Sequence, residues 1–110
     1  MTHAIEFIET PIFTRQIKEL ATDDELKELQ VELICSPEKG VLIKNTGRLR
    51  KIRMPNNSKG KSSGIRVIYF IASEQMIFLV LAYHKSKKTN LTEFEKIELK
   101  KLTKLLKKEV

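Results

Sequence analysis

Cysteine is nearly absent from this chain of 110 residues: Cys35 stands alone, which excludes an internal disulfide framework and a cysteine-based zinc cluster. No apolar run reaches the roughly eighteen residues that a membrane-spanning helix needs, so no span and no membrane partner are expected. Met1 to Thr10 lacks a basic segment followed by an apolar one; no secretory signal is expected, and the cytoplasm is the natural location. The chain has no P-loop, no dinucleotide fingerprint and no paired-histidine metal motif, so neither a cofactor nor a metal is expected. Acidic residues are scarcest in the middle of the chain: residues 48–91 hold one, Glu74, against ten basic side chains. A carboxylate dyad for acid–base work is hard to assemble there, because Glu74 belongs to a turn.

Against these absences stands a surplus of cations. With 41% hydrophobic and 32% charged residues the chain reads as one soluble globular domain, 1–110, and its net charge of +7 points to a polyanionic partner. The charge is not evenly spread. Residues 1–47 hold five basic and nine acidic side chains, a net of −4; residues 48–91 carry +9; residues 92–110, with six lysines and four glutamates, carry +2. An excess confined to one segment marks a binding site more strongly than the total does.

The elements follow from periodicity and caps. His3 to Ile8 alternates around Ile5 and Phe7 as a half-buried strand does. Thr10-Pro11 opens a helix with Ile12, Phe13, Ile17 and Leu20 at helical spacing. Thr22-Asp23-Asp24-Glu25 has the form of a capping box for a second helix, carried by Leu26, Leu29, Leu33 and Ile34 and closed by Pro37 and Gly40, with Cys35 expected to be buried. From Gly47 the period becomes two, with Leu49, Ile52 and Met54 interleaved with Arg48, Arg50, Lys51 and Arg53. Asn56 to Gly64 is a polar hairpin loop. Gly64 to Ala72 and Gln75 to Tyr83, joined by Ser73-Glu74, are apolar, β-branched and aromatic, as central strands are. A second capping-box pattern, Thr92 to Glu95, opens a last helix whose expected buried stripe is Phe94, Ile97, Leu102, Leu105 and Leu106. The result is an α+β domain: an N-terminal strand and a helical hairpin packed on a small antiparallel sheet, with a C-terminal helix. Lys51, Arg53, Arg66 and the residues after Tyr83 converge on it as a basic surface.

Such a surface suits RNA. The 2′-hydroxyl of RNA attacks the adjacent phosphate by itself, so a protein need only align the backbone, move protons and stabilise the pentacovalent phosphate. Arg66, inside an otherwise apolar strand, offers a permanently charged planar fork for that phosphate. Crowding against other cations can depress a lysine's pKa, which lets it serve as acid or base, and His84 is the one side chain of the basic segment whose unperturbed pKa lies near neutrality. Tyr83 is placed either as a rim aromatic or as a platform for a base. Lys59 and Lys61, in the glycine-serine loop, are either RNA contacts or solvated charge.

The runs T-G-R-L-R-K-I-R (Thr46 to Arg53), G-K-S-S-G-I-R-V-I-Y-F (Gly60 to Phe70) and L-A-Y-H-K-S-K-K (Leu81 to Lys88) resemble the RelE/ParE superfamily of bacterial toxins, and within it the HigB group of type II toxin–antitoxin systems. The resemblance implies a RelE-like fold and a ribosome-dependent mRNA endoribonuclease, an mRNA interferase that cleaves mRNA in the ribosomal 30S A site and inhibits translation. It implies a cognate antitoxin with a helix-turn-helix domain, HigA-like. Arg66 matches the arginine that contacts the cleaved phosphate, and Lys51 and Arg53 match the basic pair on the preceding strand. Where the best-known members have a second arginine and a tyrosine after the last strand, this chain has Ser86 and Thr92; His84 or Lys85 stand in as candidates, alongside Lys87. Arg48, Arg50, Lys59, Lys61, Tyr83, Lys87 and Lys88 are the expected RNA contacts. Two other readings stay open: a ParE-like inhibitor of DNA gyrase, and a non-catalytic RNA- or ribosome-binding module.

Overall fold

Helix starts are decided by threonine caps. In the computed structural model, which describes residues 4–54, 64–87 and 91–107, helix α1 (Pro11–Leu20) begins where the Phe13 N–H donates to Thr10 Oγ1 at 3.0 Å, with Pro11 in the first turn where no N–H is needed. Helix α2 (Asp23–Cys35) begins with a complete capping box: the Glu25 N–H donates to Thr22 Oγ1 (3.1 Å) and the Thr22 N–H to Glu25 Oε1 (2.8 Å). Helix α3 (Glu93–Lys107) repeats it, Thr92 and Glu95 exchanging bonds of 2.9 and 3.1 Å. Each set satisfies N–H groups that the first helical turn leaves without partners.

The strands are β1 (Glu6–Glu9), β2 (Val41–Leu42), β3 (Arg50–Arg53), β4 (Ile65–Ser73) and β5 (Met76–His84). They form one sheet in the order β1-β5-β4-β3-β2. The expected hairpin of central strands is β4–β5, and β3 pairs antiparallel with β4. The N-terminal strand joins the far edge parallel to β5, so the sheet is mixed. Strand β2, only two residues long, is too short to show a period in sequence.

Alternation along β4 and β5 sorts the core into two layers. Ile65, Val67 and Tyr69 of β4, with Ile77, Leu79 and Ala82 of β5, meet Phe13 and Ile17 of α1 and Leu29 and Leu33 of α2. Ile68 and Phe70, with Phe78 and Val80, face the opposite way and lie under Leu99, Leu102 and Leu106 of α3. The helical pair therefore covers one face and α3 the other. Truncating a fully buried leucine such as Leu33 to alanine costs about 2–5 kcal/mol in such a core.

All three helices differ from the sequence expectation in some of the residues they bury. Ile12 and Ile34 are exposed, and so is Cys35, which was expected inside. On α3, Phe94, Ile97 and Leu105 face outward, Phe94 at 70% exposure. The inward stripe keeps the expected Leu102 and Leu106 and adds Leu99 and Thr103. Thr103 explains the choice: its buried hydroxyl bonds Thr46 O (3.1 Å) and Leu99 O (2.9 Å), fastening α3 to the loop before β3. That loop turns through left-handed backbone at Asn45, Gly47 and Arg48.

A second fastening holds the α2–β2 connection. Tyr69, fully buried, donates its hydroxyl to Pro37 O (2.6 Å) and accepts the Gly40 N–H (2.9 Å). A side chain at Gly40 would have its Cβ 2.7 Å from that hydroxyl. Burial, partly offset by the Gly40 N–H and the nearby Arg50, raises the Tyr69 pKa above the usual tyrosine value and keeps the phenol neutral. No helix among the described residues is long and apolar enough to cross a membrane.

Candidate nucleic-acid interface

The register of three neighbouring strands assembles the basic row. Arg53 of β3 lies directly opposite Arg66 of β4, and Arg66 lies directly opposite Tyr83 of β5. Strands about 4.8 Å apart make this a row roughly 10 Å wide. Lys51, two residues earlier on β3 and opposite Ile68, is on the same face, the one α3 partly covers. Arg53 is exposed; Lys51, Arg66 and Tyr83 are half-buried.

Two like charges directly opposite each other on one sheet face repel, at about 0.2–1 kcal/mol. A fold keeps such a pair readily where an anion binds between them. The only acid of segment 48–91, Glu74, sits in the β4–β5 turn at the other end of the strands. Among the described residues, Lys51 and Arg53 form no ion pair, whereas Glu32–Lys39, Glu93–Lys96 and Glu98–Lys101 do. The Arg66 guanidinium turns back toward Ile65 O at 3.5 Å.

Other expected site residues fall in three groups. Lys85 and Lys87 are exposed in the turn that follows β5, at the same end as the row, held by the Lys85 N–H on Gly64 O (2.8 Å) and the Lys87 N–H on His84 O (3.0 Å). Arg48 is exposed in the loop before β3. Lys59, Lys61 and Lys88, with most of the expected loop Asn56 to Gly64, lie outside the described residues.

Two expected site residues lie on the other face of the sheet. Arg50, taken as an RNA contact, lies opposite Tyr69 and so on the other face; its guanidinium donates to Glu38 O (3.0 Å) and Gly40 O (2.7 Å), bracing the α2–β2 connection. His84 lies opposite Ile65, on the face opposite Tyr83. Its Nδ1 accepts the Ser86 N–H (3.1 Å), and its ring fills the space where a Gly64 side chain would stand, 2.6 Å from the Cβ position. The structure thus gives His84 the work of shaping the turn that carries Lys85 and Lys87.

Sequence reasoning missed what supports Tyr83. Past Glu9, the last residue of β1, no strand among the described residues lies beside the outer edge of β5. The cap of α1 and a residue of the helix take over: the Thr10 N–H donates to Leu79 O (3.0 Å), Thr10 Oγ1 to Val80 O (2.8 Å), and Gln16 Oε1 accepts the Ala82 N–H (2.9 Å). The one available signal was a glutamine on the inward stripe between Phe13, Ile17 and Leu20.

The cleft of about 720 Å³ lined by Ile5, Pro37, Ile71 and Ile77 contains none of the row's residues. No cluster of metal-ligating side chains occurs among the described residues. Cations in line, an aromatic beside the central arginine and two lysines at the end of the row can hold a phosphate, stack a base and exchange a proton.

Comparison with known proteins bears on the family and the fold. The RelE family model, described as the RelE toxin of the RelE/RelB toxin–antitoxin system, matches residues 9–109. A solved structure, that of a mutant of the E. coli toxin RelE in the free state, is similar with a TM-score of 0.57 and 17% sequence identity, over 81% of this chain and 90% of that one. At that identity the likeness carries the fold.

Proposed function

The chain belongs to the RelE family of toxins of toxin–antitoxin systems, and on that premise we propose that it is an mRNA interferase that cleaves mRNA in the ribosomal A site through the row Arg53–Arg66–Tyr83. The observation that carries the reading is the register: it sets two arginines and a tyrosine directly opposite one another on three adjacent strands. In the reaction Arg66 holds the scissile phosphate in its fork and, with Arg53, stabilises the charge that builds on the pentacovalent phosphate. Tyr83 supports the flanking base. Lys51, on the face of the row, and Lys85, at its end, supply the groups that take the proton from the 2′-hydroxyl and return one to the leaving 5′-oxygen. The products are a 2′,3′-cyclic phosphate and a 5′-hydroxyl, and no water is consumed in this step.

The partners are mRNA on the 30S subunit and a cognate antitoxin. Within the family the three sequence runs support a place in the HigB group, whose antitoxin, HigA-like, carries a helix-turn-helix domain; an adjacent reading frame encoding such a protein is the corresponding genomic observation. The reading is tested by adding purified protein to a translating extract and mapping mRNA 5′ ends. New ends at a fixed position relative to the reading frame that vanish with Arg66→Ala support it. Intact mRNA with inhibited gyrase supercoiling replaces it with a ParE-like activity. Salt-sensitive ribosome binding without cleavage replaces it with a binding module.

A further inference from the structure

The position of Tyr83 depends on an irregularity in β5. Opposite β4 the register slips by one residue: Ile68 faces Leu81 while Tyr69 faces Leu79, leaving Val80 extra. Val80 and Leu81 consequently both face α3, Ala82 turns toward α1, and Tyr83 returns to the face of Arg66. A strand continued without the extra residue would set Ala82 opposite Arg66 and turn Tyr83 to the other face. The bulge therefore decides whether the row contains an aromatic at all.

Two side chains of the α1 segment flank this bulge. Thr10 Oγ1 donates to Val80 O, and Gln16 Oε1 accepts the Ala82 N–H (2.9 Å). Ala82 is buried, so its N–H needs a partner, and β1 has already ended. Thr10 also caps α1, so changing it would disturb the helix as well. Gln16 has no such second duty at the helix start.

We infer that Gln16 is a positioning residue of the RNA site: its carboxamide oxygen fixes the β5 bulge that sets Tyr83, rather than Ala82, opposite Arg66. The inference rests on reading the row as the mRNA-cleaving site. Gln16 touches no substrate; it acts through the strand at the row's edge, and a displacement of about 1 Å in a reacting constellation lowers rates by about a hundredfold.

The test compares Gln16→Met, which keeps length but removes the acceptor, with Gln16→Glu, which retains one. In ribosome-dependent cleavage, Gln16→Met is expected to lower kcat by about ten- to a hundredfold with KM nearly unchanged. Gln16→Glu is expected to restore most of the rate. In a Tyr83→Ala background, Gln16→Met should cost nothing further, because its effect runs through Tyr83. Full activity of Gln16→Met, or an equal fold-loss in the Tyr83→Ala background, overturns the inference. A second measurement needs neither RNA nor a folded variant: in the wild-type protein the Ala82 amide should exchange slowly with solvent and the Tyr83 ring should show NOEs to the Arg66 side chain. Fast exchange or absent NOEs overturns it too. Wild-type protein that leaves mRNA intact overturns the reading of the site, while these NMR signals decide the bulge independently.

Discussion

On the proposed function, five cations gathered at one end of the sheet set a definite salt dependence for RNA binding. Lys51, Arg53 and Arg66 share the face of the row, and Lys85 and Lys87 occupy the turn beside it. A single strand that releases counterions from five phosphates weakens with a log–log slope of roughly −3.5, since each neutralised phosphate contributes about 0.7. Raising salt fourfold, from about 50 to about 200 mM, should then lower affinity on the order of a hundredfold. The perturbation is Arg66→Gln, which keeps much of the side chain and removes the charge. It should reduce the slope by about 0.7 and weaken binding at every salt concentration. Two controls locate the effect: Lys18→Gln, on the outer side of α1, and Arg50→Gln, whose guanidinium braces carbonyls on the other face, should leave the slope unchanged. The assay is fluorescence anisotropy with a labelled single strand carrying 2′-O-methyl groups throughout, which binds but has no attacking hydroxyl. A slope shallower than about −1, or an equal change on Arg50→Gln, would refute the assignment of the phosphate contacts to this face.

Three further outcomes follow from the packing. Tyr69→Phe removes a hydroxyl that satisfies both Pro37 O and the buried Gly40 N–H, and should cost about 1–3 kcal/mol in urea unfolding. Because burial raises the folded Tyr69 pKa, its contribution is complete below the unfolded value of about 10 and is lost as pH rises through the folded value; the alkaline part of the stability profile should lose this component in Tyr69→Phe. Thr103→Val should cost about 1 kcal/mol and speed hydrogen exchange in α3 first, since the hydroxyl joins that helix to Thr46. Gly64→Ala should disturb the turn carrying Lys85 and Lys87 through its contact with the His84 ring, and His84→Ala should relieve it; a double variant that cleaves mRNA no better than Gly64→Ala alone would contradict the role given to His84.

Element order and caps were readable because they are local. Thr10-Pro11, Thr22 to Glu25 and Thr92 to Glu95 each carry their own hydrogen-bonding instruction, and each opens a helix where it stands. The basic cluster was readable for a related reason: strands β3, β4 and β5 follow one another in the chain, so neighbours in sequence became neighbours in the sheet. What sequence did not reveal depends on tertiary partners. Helix α3 has apolar residues on more than one side, and only the Thr103–Thr46 bond shows why Leu99 faces in while Phe94 and Leu105 face out. Arg50 and Lys51 look equivalent as adjacent cations, yet the pleat sends one to the α2–β2 connection and the other to the row. The choice between Tyr83 and His84 turned on a single extra residue in β5, and a bulge held by a glutamine about seventy positions away in the chain leaves no local period.

The central claim is that the Arg53–Arg66–Tyr83 row cuts mRNA on the ribosome. Its most direct test is end-mapping of a defined mRNA in a purified translation system, with wild-type protein, Arg66→Ala, and a message bearing a single 2′-deoxy nucleotide at the cut position. The account predicts a wild-type cut that leaves a 2′,3′-cyclic phosphate and a 5′-hydroxyl, that is lost with the deoxy message, and that falls by about a hundred- to a thousandfold with Arg66→Ala. Undiminished cleavage by Arg66→Ala, or cleavage of the deoxy message at the same position, would contradict it.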